Sequence, residues 1–148
     1  MCRRIHAIEE IDYITCHIWP LNRGWLYTNK HEWENLVIQT LEDHIHLAEE
    51  LGKPLIIDEF GFVRDLPMWE DTPSFIYTYE NIHRDSTESP TTTRDKFYKI
   101  IFDRLLESKN NNSCFLGCNF WGWGGEAVPE HKRWQLGDVY TADPAQED

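Results

Sequence analysis

Residues 55–60 read LIIDEF, within the longer stretch KPLIIDEFGF at 53–62. A short run led by Leu and Ile, with Pro54 before it and Gly61 after it, predicts a strand. Its near-continuous apolar character predicts burial on both faces, as in a parallel sheet. The flanks agree. Upstream, Val37, Leu41, Ile45, Ala48 and Leu51 recur at helical spacing, and Gly52 with Pro54 ends the helix. Asn29 and Glu32 have capping-box spacing at its start. Residues 11–19, IDYITCHIW, are β-branched and aromatic and predict an earlier strand, closed by Pro20, Asn22 and Gly24. Residues 5–10 read as the tail of a helix before it.

Downstream of LIIDEF lies a long irregular stretch, 61–90, punctuated by Pro67, Pro73 and Pro90. Its aromatics (Phe62, Trp69, Phe75, Tyr77, Tyr79) predict an ordered, functional loop. Thr92 or Thr93 can cap a second helix with Phe97, Ile101 and Leu105 on one face and Ile100 beside them. Asn110, Asn111 and Asn112 end it. Residues 114–121, CFLGCNFW, predict a third strand, followed by a Gly-rich turn at 122–125 and a polar tail at 143–148.

Strands alternating with helices define parallel βαβ units with right-handed crossovers. Three strands and two helices cannot close a barrel. They would leave two apolar edges uncovered. The 148 residues also fall short of the roughly 250 of a complete (β/α)8 barrel.

Fourteen basic residues against 26 acidic ones give a net charge of −12. That balance argues against nucleic acid as a partner and against docking on an anionic membrane. A hydrophobic fraction of 41% is that of a globular chain. No run is long enough for a membrane span, and the first residues lack the apolar core of a signal peptide. Cys2, Cys16, Cys114 and Cys118 fit no zinc spacing; four could form two disulfides in a secreted protein, but Cys16 and Cys118 lie in apolar runs, and the favoured expectation is buried unpaired thiols.

Open α/β sheets and β/α barrels place chemistry at the carboxyl ends of their strands. The first strand end offers His17, Trp19 and Asn22. The second offers Asp58, Glu59, Arg64 and Asp65. The third offers Asn119, Trp121, Trp123 and Glu126. Carboxylates, a histidine and indole rings converging on one rim suit a carbohydrate site. Asp58 and Glu59 are neighbours in a strand, so strict alternation would send them to opposite faces. One would face the open side while the other turned to the helix layer, as a structural group or a cap. Taken alone, His17 in an apolar strand reads as a core histidine. His31, His44, His46 and His83 read as surface residues, and Trp33 and Trp134 as packing. Glu32, Glu34, Glu42, Asp43, Glu49 and Glu50 read as the solvated face of the first long helix.

The segments IDYITCHIWPLNRGW, GKPLIIDEFGFVRD, TRDKFYKIIF and GCNFWGWGG together resemble the C-terminal part of glycoside hydrolase family 5, endo-β-1,4-mannanase branch. The resemblance runs in order over nearly the whole chain. It implies an α/β fold: the C-terminal portion of a (β/α)8 TIM barrel, strands six to eight with two intervening helices. Residues 1–148 would then be a partial catalytic domain whose partner is the missing N-terminal part of its own barrel. Glu59, in Asp58-Glu59-Phe60-Gly61, matches the nucleophile of a retaining mechanism. His17 matches the histidine that supports the catalytic carboxylates. Trp19 stands where many members carry Tyr and contacts the nucleophile or the sugar. Trp121 matches the platform under the sugar being cleaved. Trp25 and Trp123 are expected at neighbouring subsites, and Glu126 on sugar hydroxyls.

The chain departs from the family pattern at Asp58, where relatives often carry Glu, and at Val63, where they often carry Pro. It has no Asn-Glu dipeptide, the context of the family's acid/base glutamate. The expectation is therefore a fragment, inactive in isolation, of an enzyme that endo-hydrolyses β-1,4-mannosidic bonds with retention. Its polymer would be β-mannan, glucomannan or galactomannan, with no cofactor and no metal, since two carboxylates suffice. The alternatives are a non-catalytic carbohydrate-binding remnant and a β-1,4-glucanase of the same family. The whole enzyme is expected outside the cell or in the periplasm, because the polymer cannot enter.

Overall fold

The computed structural model describes residues 2–20, 22–28, 32–62 and 91–122. Along the chain these form α1 (Cys2–His6), β1 (Ile14–Ile18), α2 (Trp25–Thr28), α3 (Trp33–Leu51), β2 (Leu55–Phe60), α4 (Thr92–Asn110) and β3 (Phe115–Phe120). The three strands make one parallel sheet in the order β1-β2-β3. The alternation of strand and long helix gives the expected α/β architecture. The LIIDEF strand is the middle one.

Helices α3 and α4 cover one face of the sheet. Ile14, Cys16 and Ile18 of β1 share a core with Leu55, Ile57 and Phe60 of β2 and Phe115 of β3. The helices contribute Val37, Leu41, Ile45 and Ala48 from α3, with Phe97 and Ile101 from α4. Each Val, Leu, Ile or Phe among these, fully buried, stabilises the fold by about 1.5–3 kcal/mol relative to exposure. The other face is open among the described residues: His17, Leu116 and Asn119 are exposed there. LIIDEF is therefore buried on one face, not two, and Ile56, Asp58 and Glu59 are only half-buried.

The element ends differ from the expectation in ways local chemistry explains. Helix α1 stops at His6, and residues 7–10 turn. Lys53 Nζ donates to the carbonyls of His6 (2.7 Å) and Ile8 (2.6 Å), taking up acceptors the helix end leaves open. Glu32 holds the N-cap of α3 without a side-chain hydrogen bond, and Asn29 lies outside the described residues. Gly52 caps the other end in the left-handed conformation, φ 63°, as its glycine predicts. Thr91, not Thr92 or Thr93, caps α4, and its hydroxyl donates to Asp95 at 3.0 Å. One turn of helix, α2, stands where only loop is expected.

Two acids expected to be solvated instead tie the helices together. Glu42 accepts both the Nε and Nη2 hydrogens of Arg104, at 2.7 and 2.8 Å. Glu34 pairs with Lys96 at 2.5 Å. Among the described residues Cys16, Cys114 and Cys118 are in no disulfide, and burial pushes the Cys114 and Cys118 thiols up.

The register of β2 carries one irregularity that matters for the site. Cys16 pairs with Ile57, and the next residue, His17, pairs with Glu59. Toward β3, Ile57 pairs with Cys118 and Phe60 with Phe120. Asp58 is thus an extra residue relative to both neighbours, a β-bulge. The buried positions follow suit: 55 and 57 before the bulge, 60 and 62 after it.

Candidate active site

The bulge decides where the carboxylates point. It returns Phe60 and Phe62 to the helix side, where they enter an aromatic cluster. Phe62 stacks 5.1 Å from both Trp33 and Phe97, and Phe60 meets Phe97 at 6.0 Å and Tyr98 at 5.6 Å edge-on. These contacts hold the end of β2 from behind. Asp58 and Glu59 both lie on the open side, contrary to the strict alternation expected of a plain strand. The imidazole of His17 lies against both: Nε2 is 3.4 Å from Asp58 Oδ1, and Nδ1 is 3.6 Å from Glu59 Oε1.

Glu59 has a closer partner. Trp19 Nε1 donates to Glu59 Oε1 at 2.7 Å. An indole N–H only donates, so the carboxylate oxygen is the acceptor in this contact. Glu59 is 30% exposed at its side chain, enough for a ligand to reach. His17 is 55% exposed, so it is no core histidine. Asp58 Oδ1 is buried and accepts no hydrogen bond among the described residues. The His17 ring is the group beside it.

Trp121 follows β3 directly. Its backbone N–H donates to the Phe60 carbonyl at 2.8 Å, which fixes it next to the residue after Glu59. Trp121 is 44% exposed. Trp25 sits farther back in α2, packed partly on the core, with Arg23 5.2 Å over its ring. One of its faces is therefore already occupied. Trp123 and Glu126 lie outside the described residues, as do Arg64 and Asp65. The described strand ends thus bring together His17, Trp19, Asp58, Glu59 and Trp121. A carboxylate held by a donor-only indole beside an imidazole, with Trp121 on the neighbouring strand end, can act as a nucleophile or as an anchor for sugar hydroxyls.

Two features that shape the site do not follow from strand alternation. Alternation separates Asp58 and Glu59 onto opposite faces, whereas both lie on the open side; the apolar spacing 55, 57, 60, 62 breaks the two-residue period and signals the bulge. Gly61 enters the sequence reading as the residue after the strand and as the last member of the Asp58-Glu59-Phe60-Gly61 motif. Nothing in the sequence alone marks what passes over it.

The family model described as GH family 5 beta-mannosidase-like matches residues 1–148. The chain belongs to that glycoside hydrolase family. It is 28% identical over 115 residues to mannan endo-1,4-beta-mannosidase 5 of Arabidopsis thaliana, covering 76% of this chain. In structure it resembles a glycoside hydrolase family 5 mannosidase from Rhizomucor miehei, with a TM-score of 0.70 and 27% identity over 99% of this chain. A glutamate-to-alanine variant of that enzyme was solved in complex with mannosyl-fructose. The hyperthermostable endo-1,4-beta-D-mannanase of Thermotoga petrophila shares the fold, with a TM-score of 0.56 and 21% identity over 93% of this chain. The chain spans 22% of the Arabidopsis protein, 36% of the Rhizomucor enzyme and 30% of the Thermotoga enzyme.

Proposed function

We propose that this chain is the nucleophile-bearing part of a retaining endo-β-1,4-mannanase, with Glu59 as the nucleophile. The observation that carries the reading is the Trp19–Glu59 hydrogen bond at a strand end, beside His17. With Oε1 held by Trp19, Oε2 is the oxygen that attacks the anomeric carbon of a mannosyl unit. The C–O bond to the leaving sugar breaks, and a glycosyl ester forms on Glu59. Water then releases the sugar with retained configuration. His17 orients the carboxylate, and Trp121 stacks on the sugar ring. Trp123, Trp25 and Glu126 are assigned to neighbouring contacts with the polymer.

The strands would be the last three of a (β/α)8 barrel, with the open sheet face turned to its interior. The second carboxylate, the acid/base, would lie elsewhere in that barrel, about 5–5.5 Å from Glu59. A polymeric mannan as substrate places the whole enzyme outside the cell or in the periplasm. Mannan over glucan rests on the mannosidase and mannanase relatives.

The test is a 2-deoxy-2-fluoro-β-mannosyl fluoride, whose fluoride leaves without help from an acid. Peptide mass spectrometry is expected to find the sugar on Glu59, and none after Glu59→Gln. Labelling by the gluco analogue instead would support a glucanase. No labelling, with mannan binding lost on Trp121→Ala, would overturn the enzyme reading in favour of a binding remnant.

A further inference from the structure

The Trp19 indole lies so close over the β2 backbone that Gly61 has no room for a side chain. A Cβ built on Gly61 would sit 2.6 Å from both Cζ3 and Cη2 of Trp19, and 2.9 Å from the Trp121 carbonyl oxygen. Carbon atoms do not approach that closely. The need for glycine here is steric and not conformational. Gly52 shows the contrast: its φ is 63°, and a Cβ there would meet nothing within 4 Å. Gly61 has no such left-handed φ, but it is walled in on two sides.

We propose that Gly61 is a positioning residue that seats Trp19, and through Trp19 orients Glu59. The two walls differ. The Trp121 carbonyl belongs to backbone pinned to Phe60 at 2.8 Å, so it yields little. The Trp19 ring is the side that can move. Reaching ordinary contact at 3.4 Å requires the ring to shift by about 0.8 Å. Its Nε1 is 2.7 Å from Glu59 Oε1, and a shift of that size exceeds the range of a good hydrogen bond. A single methyl group at Gly61 therefore breaks a contact made two residues earlier in the same strand. The bulge makes this possible, because it puts Glu59 and Gly61 on the same open face with Trp19 across both.

The catalytic meaning of this rests on the proposed role of Glu59, but the seating of Trp19 does not. The first readout is therefore independent of turnover. In proton–nitrogen correlation spectra of the chain, the Trp19 indole signal is identified by its loss in Trp19→Phe, and Glu59→Gln is expected to shift it. Gly61→Ala is expected to shift that same signal toward a free indole and speed its exchange with water, leaving the other indoles in place. A Trp19 signal unmoved by Gly61→Ala overturns the proposal. If Gly61→Ala alone does not fold, Gly61→Ala combined with Trp19→Phe is expected to recover the fold, because the outer ring carbons are gone. Equal destabilisation in both backgrounds also overturns it. In the active enzyme, Gly61→Ala is expected to lower kcat on the order of tenfold to a hundredfold, without adding to the loss from Trp19→Phe. Failure to label Glu59 with the fluorosugar would sink the nucleophile and leave the indole result standing.

Discussion

Trp19 and Glu59 meet across the β1–β2 pairing, the indole Nε1 donating to Oε1 at 2.7 Å. Trp19 lies one residue beyond the end of β1, and Glu59 is the last but one residue of β2. The indole cannot take up or release a proton at working pH, so it differs in kind from a tyrosine at this place. It holds the carboxylate without competing for its proton. Trp19→Phe removes the donor and keeps an aromatic ring. In the whole enzyme, the expected loss is on the order of a hundredfold in kcat with a smaller change in KM, measured on mannan-derived oligosaccharides. An unchanged kcat would assign Trp19 to packing.

His17 and Asp58 are expected to act as a pair. The ring lies 3.4 Å from Asp58 and 3.6 Å from Glu59, so removing Asp58 frees it to turn. Asp58→Ala and His17→Ala should each lower kcat. The double variant should lose little more than His17→Ala alone, with a coupling of about 0.5–3 kcal/mol. Strictly additive losses would show that Asp58 works apart from His17.

Phe97 is fully buried and touches Trp33, Phe60, Phe62 and Tyr98. Phe97→Ala leaves a cavity behind the strand that carries Glu59. Urea unfolding is expected to show a loss of about 3–5 kcal/mol. A loss under 1 kcal/mol would mean that the aromatic cluster closes over the gap.

Alkaline pH should weaken the fold. Burial raises the Cys118 and Cys114 thiols and the Tyr98 phenol above their ordinary values. The unfolded chain then loses these protons first. Their contribution is complete below the ordinary thiol value near 9.0 and fades as pH climbs through the raised values. The urea midpoint is expected to fall from pH 8 to pH 10, and less steeply in Cys118→Ala. A midpoint that holds level over that range would contradict the assignment.

The order of strands and helices was legible because hydrophobic period and glycine signals agree with each other. Val37, Leu41, Ile45 and Ala48 mark the buried stripe of α3, and Gly52 marks its end. Element ends were less legible. Thr91, Thr92 and Thr93 are equivalent as letters, and the helix begins after the first of them. The residues of the candidate site were named from the strand ends, and their proposed roles come from the family resemblance. Their mutual placement was not legible, because alternation assumes a strand without irregularities. The approach of Trp19 to Gly61 was out of reach, since it depends on two strands lying side by side.

Asp58 is also the place where the strand's length can be edited. Delete it, and Ile57, Glu59 and Phe60 follow one another as in an ordinary strand. Glu59 keeps its side of the sheet and Phe60 keeps its place among the aromatics. Delete or insert a residue at any other point of β2, and everything beyond it changes sides or falls out of step with its neighbours. Drift in chain length, usually ruinous in the middle strand of a sheet, therefore has one outlet here that spares the fold, and it lies immediately before Glu59, at the cost of the His17 partner.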